Sequence, residues 1–227
     1  MHPVFWVHVF GKRILLLHID IGEPGIMENN NIKNILIVGC GGQGVILASE
    51  IMSHVAVACG YDVKKSEIHG MSQRGGVVTS HVRYGKGVAS PTIMEGNADI
   101  LLSFEIAETL RWISYLQDDG KVITNSQRIV PPIVSTGFAS YPENIEQVLA
   151  RRTDNLIIMD ALAKALELGN PKLVNTMLLG MVANYLDLPF EQWKIVIEKS
   201  VPPKFKELNM TAFATGLAMQ QGEGISI

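Results

Sequence analysis

Cysteine is scarce: Cys40 and Cys59 are the only two in 227 residues. Two thiols cannot supply the roughly four thiolates of an all-cysteine iron–sulfur cluster. They are also too few for a secreted disulfide framework, which makes a reducing cytoplasm the default compartment. An excess of positive charge is missing as well. Nineteen Lys and Arg stand against 22 Asp and Glu, a net charge of −3, which excludes a generally basic binder of nucleic acid or anionic membrane. No apolar run reaches the ~20 residues of a membrane-spanning helix. The uncharged opening stretch Met1–Gly11 is followed by Lys12, Arg13 and Asp20. The motifs G-x-S-x-G, H-E-x-x-H, C-x-x-C and the phosphate-loop lysine–serine pair do not occur. The six histidines are scattered, with His2, His8 and His18 all before residue 27, so no metal-ligand spacing emerges.

What is present describes one globular unit. With 47% apolar and 18% charged residues, a chain of this length buries a single core without needing a staple. Residues 1–26 read as a leader ahead of a start at Met27, the alternative being a β-hairpin extension that turns near Gly11-Lys12. Residues 27–220 then form one domain, and 221–227 a frayed tail. Asn34–Gly39 is a short apolar run of the kind that forms a strand covered on both faces. Val45–Cys59 reads as a buried helix stopped by Gly60. Tyr61–Ile68 is a strand, and Val77–Tyr84 alternates with period two, with Gly85-Lys86-Gly87 as its hairpin turn. Strands follow at Asp99–Phe104, Gly120–Asn125 and Asn155–Met159, separated by helices at Glu105–Leu116 and Glu143–Arg151. Val130–Val134 is a proline-rich connection. Past Asp160 come four helices, Ala161–Leu168, Leu173–Leu186, Phe190–Lys199 and Lys204–Met219, with Gly180 and Ala183 giving room for close packing. This order predicts an α/β fold: an open, mostly parallel Rossmann-like sheet with an antiparallel hairpin insertion and a C-terminal helical segment. Ligands on such sheets sit at the carboxyl ends of strands, which puts Gly39–Gly44 and the turn after Ile68 on one edge.

Two stretches carry candidate chemistry. Gly39-Cys40-Gly41-Gly42-Gln43-Gly44 matches G-x-G-x-x-G between a strand and a helix. Gly39, Gly41, Gly42, Gln43 and Gly44 form a cofactor or anion loop in that reading, and only pack closely on the sheet in the other. About 20 positions on, where a dinucleotide fold places an acid, stand Lys64, Lys65 and Ser66, with Glu67 slightly late. The lysines suit a phosphorylated ribose or a solvated strand edge equally. The second stretch, Glu67-Ile68-His69-Gly70-Met71-Ser72-Gln73-Arg74-Gly75-Gly76, lies in a segment from Tyr61 to Gly87 with five Lys or Arg against two acids. Glu67, His69, Gly70, Met71, Ser72, Gln73, Arg74, Gly75 and Gly76 read as a ligand or partner loop, in which Arg74 can fork onto a carboxylate or phosphate. His69 is a proton shuttle in one reading and a backbone hydrogen-bond partner in the other. Glu67 and Asp99 read as caps or ion-pair partners, and Cys40 as a small buried residue. No catalytic residue and no metal ligand is assigned.

The residues Ile37–Val45 and Ser66–Gly76 together resemble the gamma domain of the 2-oxoacid:ferredoxin oxidoreductases, most of all the branch that acts on indolepyruvate. Val78–Arg83, Ser90-Pro91, Gly96–Asp99, Lys206–Asn209 and Phe213 agree with it, so the likeness runs from about residue 32 to 219. The resemblance implies a chain without cofactors of its own. Thiamine diphosphate, Mg2+ and 4Fe–4S clusters would reside on a catalytic alpha subunit, with coenzyme A as cosubstrate and ferredoxin as electron acceptor. The complex would convert an aryl pyruvate to an aryl-acetyl-CoA. Other oxoacids of the family (pyruvate, 2-oxoglutarate, 2-oxoisovalerate) stay open as substrates, as do an NAD(P)-binding Rossmann protein and a regulatory nucleotide- or partner-binding module.

The partner-loop reading makes Arg74 the residue to test. Arg74→Lys should leave the thermal midpoint of the chain nearly unchanged and lower turnover of the reconstituted complex. An ammonium cannot reproduce the planar fork, and losing a charge-assisted contact of ~1.5–3 kcal/mol costs roughly one to two decades. A large drop in midpoint, or unchanged turnover, would return Arg74 to a structural role.

Overall fold

The computed structural model describes residues 6–9, 12–15, 32–70 and 76–219. The expectations for Met27, for Met71–Gly75 and for the 221–227 tail lie outside them. Trp6–Val9 (β1) pairs antiparallel with Lys12–Leu15 (β2) and shares no strand with the main sheet. The main sheet comprises Lys33–Cys40 (β3), Asp62–His69 (β4), Val77–Gly85 (β5), Ala98–Ser103 (β6), Leu116–Asn125 (β7) and Leu156–Met159 (β8), in the order β4-β5-β3-β6-β7-β8. β3, β6, β7 and β8 are mutually parallel. The apolar run in β3 explains its central place: Ile35 and Ile37 belong to the core on one face, Leu36 and Val38 to the core on the other.

The antiparallel insertion is present, but its turn is not Gly85-Lys86-Gly87. β5 is antiparallel both to β4, the strand before it, and to β3, so the hairpin closes through residues 70–76. After Gly85 the chain runs irregularly to β6. A period-two pattern identifies a strand but not which flanking glycines turn it. Nor does the alternation mark a solvent face, because Thr79, Ser80, His81 and Val82 are all buried. His81 and Arg83 pin the irregular segment instead. His81 Nδ1 accepts from Ile93 N (3.1 Å), while Arg83 donates from Nε to Asn34 Oδ1 (2.7 Å) and from Nη1 to Ser90 O (2.8 Å).

One face of the sheet carries Val45–Ala58 (α1), then Ala161–Glu167 (α5), Val174–Ala183 (α6), Phe190–Ser200 (α7) and Lys206–Ala218 (α8). The other carries Ile106–Trp112 (α2) and Ile145–Ala150 (α4). The proline-rich connection contains one short helical turn, Pro132–Ser135 (α3). α6 is buried all round rather than along a stripe, as befits a helix enclosed by others. It is crossed by α8 at a glycine pair. A Cβ on Gly216 would stand 2.0 Å from Met177 O, and one on Gly180 2.2 Å from Phe213 O. Gly180 was expected to serve this packing; Gly216, in a weakly patterned helix, was not. No helix among the described residues is long and apolar enough to cross a membrane.

The crossing yields a direct expectation. Gly216→Ala forces α6 and α8 apart, at a cost of about 1–3 kcal/mol. Calorimetry of the full chain should then show the unfolding midpoint falling by roughly 3–10 °C. A midpoint within about one degree of the parent would mean that the helices separate freely.

Candidate functional site

The carboxyl ends of β3, β4, β6, β7 and β8 share one edge of the sheet, and the glycine loop and the described ends of the second stretch, Glu67–Gly70 and Gly76, lie there. Gly41 N donates to Gly76 O (2.9 Å) and Gly70 N to Val77 O (2.8 Å), which joins the glycine loop to the base of the 70–76 turn. Met71, Ser72, Gln73, Arg74 and Gly75 lie outside the described residues. Within the glycine loop the glycines do different work. Gly39 has no room for a side chain, because a Cβ would meet Phe104 Cβ at 2.8 Å and Gln43 Oε1 at 2.9 Å. Gly42 and Gly44 have φ of 95° and 89°, a region that side chains other than glycine rarely adopt. Gly44 is the N-cap of α1 and has no side-chain cap.

Gln43 turns inward as a bracket. Its Oε1 accepts from Cys40 N (2.7 Å), and its Nε2 donates to Phe104 O (2.9 Å) and Gln127 Oε1 (3.0 Å). Asn125 extends the network, donating to Phe104 O (3.3 Å) and accepting from Ala161 N (3.0 Å). The ends of β3, β6, β7 and β8 are thereby laced together. Gln127 and Asn125 gave no signal in the sequence, since neither lies in a motif and their partners are remote along the chain.

Glu105 was missed for the same reason. It follows β6 and is 1% exposed. Its Oε2 caps α2 by accepting from Glu108 N (2.8 Å), while Oε1 accepts from Ile129 N (3.1 Å) and from the Tyr141 hydroxyl. Burial, the hydrogen bond to Glu105 and its charge all push the Tyr141 hydroxyl above its ordinary range, so the phenol stays a donor. A glutamate before a helix could have been read as a cap, but not as an anchor for residues 24 and 36 positions on.

The remaining marked residues are engaged locally. Glu67 pairs with Lys65 (2.6 Å) and with His69 Nε2 (3.5 Å). Lys64 pairs with Asp62. Asp99 accepts from Asn34 N (2.8 Å) and lies 3.8 Å from Lys33. The ion-pair readings of Glu67 and Asp99 therefore describe where they sit. The dinucleotide geometry fares less well: β5, running antiparallel, occupies the place beside β3 that a second parallel strand would take, so the residues ending β4 do not adjoin the glycine loop's strand.

Nor do the cysteines fit a cluster. Cys40 and Cys59 flank the 14-residue α1, a separation of about 20 Å along its axis. Burial first, then the charges of Glu108 and Glu105, raise the Cys40 thiol to about 11; burial alone raises Cys59 to about 11. Among the described residues, no group of three or more His, Cys, Asp or Glu could hold a metal ion. What the edge offers is a rigid backbone platform, with glycines at its centre and a polar network beneath.

Both thiols should therefore resist alkylation. At pH 8 a thiol of pKa about 11 is roughly a hundredfold less ionised than one of pKa about 9, and the thiolate is the nucleophile. Iodoacetamide should label the native chain roughly a hundredfold more slowly than the urea-unfolded chain. Rapid labelling of Cys40 in the native chain would restore it as a candidate nucleophile.

The sequence matches the family described as Pyruvate ferredoxin/flavodoxin oxidoreductase over residues 34–219. It is 41% identical over 189 residues to the Indolepyruvate oxidoreductase subunit IorB of Pyrococcus horikoshii, covering 81% of this chain and 94% of that one. The fold is similar to the keto/oxoacid ferredoxin oxidoreductase gamma subunit of Geobacter sulfurreducens (TM-score 0.61, 22% identity, 82% of this chain and 96% of that one). It is also similar to part of 2-oxoglutarate:ferredoxin oxidoreductase from Magnetococcus marinus (TM-score 0.65, 15% identity), covering 86% of this chain and 32% of that longer one.

Proposed function

The chain belongs to the pyruvate ferredoxin/flavodoxin oxidoreductase family, and from that premise we propose that it is the cofactor-free subunit of an indolepyruvate:ferredoxin oxidoreductase. The observation that carries this reading is the 41% identity to an indolepyruvate oxidoreductase subunit across 94% of that subunit's length. The cysteine geometry agrees with a chain that depends on a partner for electron transfer. In this reading a catalytic alpha subunit holds thiamine diphosphate, Mg2+ and the clusters, which supply decarboxylation and electron transfer. An aryl pyruvate and coenzyme A give aryl-acetyl-CoA and carbon dioxide, and the two electrons released reduce two ferredoxins. This chain completes the complex by turning its carboxyl edge, with Gly39–Gly44 and the 70–76 turn, toward the partner's active site or coenzyme A. The network under that edge supports the role, because a platform braced at Gln43 and Glu105 presents its backbone in one arrangement. The similarity to one third of a longer chain supports it too: the same fold occurs there continuous with the remainder of an enzyme.

The test is reconstitution. The full chain purified alone should be colourless, iron-free and inactive. Co-expressed with the thiamine- and ferredoxin-type subunit of its own organism, it should reduce ferredoxin with indolepyruvate and coenzyme A faster than with pyruvate, 2-oxoglutarate or 2-oxoisovalerate. Visible absorption near 400 nm with stoichiometric iron in the isolated chain, or turnover without a partner, would overturn the assignment. A preference for pyruvate would replace the substrate while keeping the family.

A further inference from the structure

Between Arg128 and Glu143, the segment Ile129–Pro142 contains no Asp, Glu, Lys, Arg or His across fourteen residues, in a chain of which 18% is charged. A solvated loop of that length would carry two or three charges. Yet this one faces solvent: Val130 is 53% exposed, Ile133 57% and Phe138 85%. It is also ordered from within. Val134 N and Ser135 N donate to Pro131 O (2.9 and 3.1 Å), Gly137 N to Val134 O (3.0 Å) and Phe138 N to Ile133 O (3.0 Å). Both feet are held by one buried carboxylate, Glu105, which accepts from Ile129 N and the Tyr141 hydroxyl. Arg128, at the N-terminal foot, pairs with Glu146 across the base at 2.9 Å.

A buried acid thus serves to display apolar side chains rather than to cover them. Exposed apolar groups clustered on a rigid loop mark an interaction surface, and an ordered loop need not be ordered again on binding. Aromatic side chains are the usual anchors of such contacts. The loop springs from the carboxyl end of β7 and is tied through Gln127 to Gln43 of the glycine loop (3.0 Å). It therefore continues the edge that the functional reading turns toward the catalytic subunit.

We propose that Ile129–Pro142 is a docking loop, with Phe138 as its anchor, that seats in an uncharged apolar groove of the catalytic partner subunit. This rests on the subunit assignment made above. The occupant is the partner rather than a second copy because the loop shares its edge with the glycine loop, and a self-contact there would cover the surface the complex uses.

The experiment compares the full chain and its variants, each co-expressed with the tagged catalytic subunit, and titrates the purified proteins for affinity. Phe138→Asp should weaken association at least about tenfold while the isolated chain keeps its thermal midpoint. Phe190→Asp, which charges an exposed aromatic on α7 in the helical layer, should bind like the parent. Should Phe138→Asp lower the midpoint, Phe138→Ala carries the comparison instead. Parent-like affinity in the Phe138 variant overturns the docking loop and leaves the subunit assignment intact. Failure of the parent chain itself to associate overturns that assignment, and the loop with it. A parent chain that dimerises through Phe138, with unchanged affinity of the variant for the catalytic subunit, makes the loop a contact between copies and refutes the proposal.

Discussion

The amide of Gln43 bonds in three directions at once: to the backbone of its own loop, to the carbonyl that follows β6, and to a glutamine that follows β7. A primary amide can do this because it offers an acceptor and two donors at fixed angles. The consequence reaches beyond one residue. Strands of a parallel sheet end in separate loops, and nothing in the ladder obliges those loops to keep a common arrangement. Gln43, with Asn125 behind it, makes the ends of β3, β6, β7 and β8 parts of one network, and the glycine loop inherits that rigidity.

The glycines are what let this network close. Gly39 brings β3 against Phe104 with no space for a methyl group, which is the approach that carries the loop within reach of the Phe104 carbonyl. Gly42 and Gly44 then reverse the chain with left-handed backbone and start α1. Gly39, Gly42 and Gly44 of the G-x-G-x-x-G spacing thus each meet a packing or turning requirement of the fold itself. The insertion of β5 beside β3 points the same way, since it changes the neighbour of the glycine loop from a parallel strand to an antiparallel one. A familiar local motif has been set in a different sheet.

Glu105 plays the corresponding part on the other side of the edge. A carboxylate so deeply buried would be costly if left bare, and here it is met by two backbone N–H groups and a phenol. Those donors come from the start of α2 and from the two feet of the Ile129–Pro142 loop. The desolvation of one charge is thereby offset by contacts that hold a long excursion in place, which short-range turn chemistry alone would not do. Rigid support beneath and apolar side chains above are properties of a surface formed to meet another one.

Local rules sufficed for much of this molecule. Apolar runs, period-two alternation and glycine or proline punctuation gave each strand of the main sheet and its long helices, because those signals depend on neighbours a few residues away. The glycine loop and the turn after Ile68 could be put on one edge because parallel connections fix which ends of strands coincide. The resemblance to the family rested on the residues of those two stretches taken together, and the family match over residues 34–219 bears it out. What the tertiary structure alone decided is pairing between remote groups: that β5 returns against β4 before wedging beside β3, that Gly216 faces Met177, that Gln43 meets Gln127, and that Glu105 holds Ile129 and Tyr141. Apart from the β4–β5 return, each is a contact between residues tens of positions apart, so its geometry arises only when the sheet assembles, and a side chain carries no local mark of the partner that assembly will bring to it.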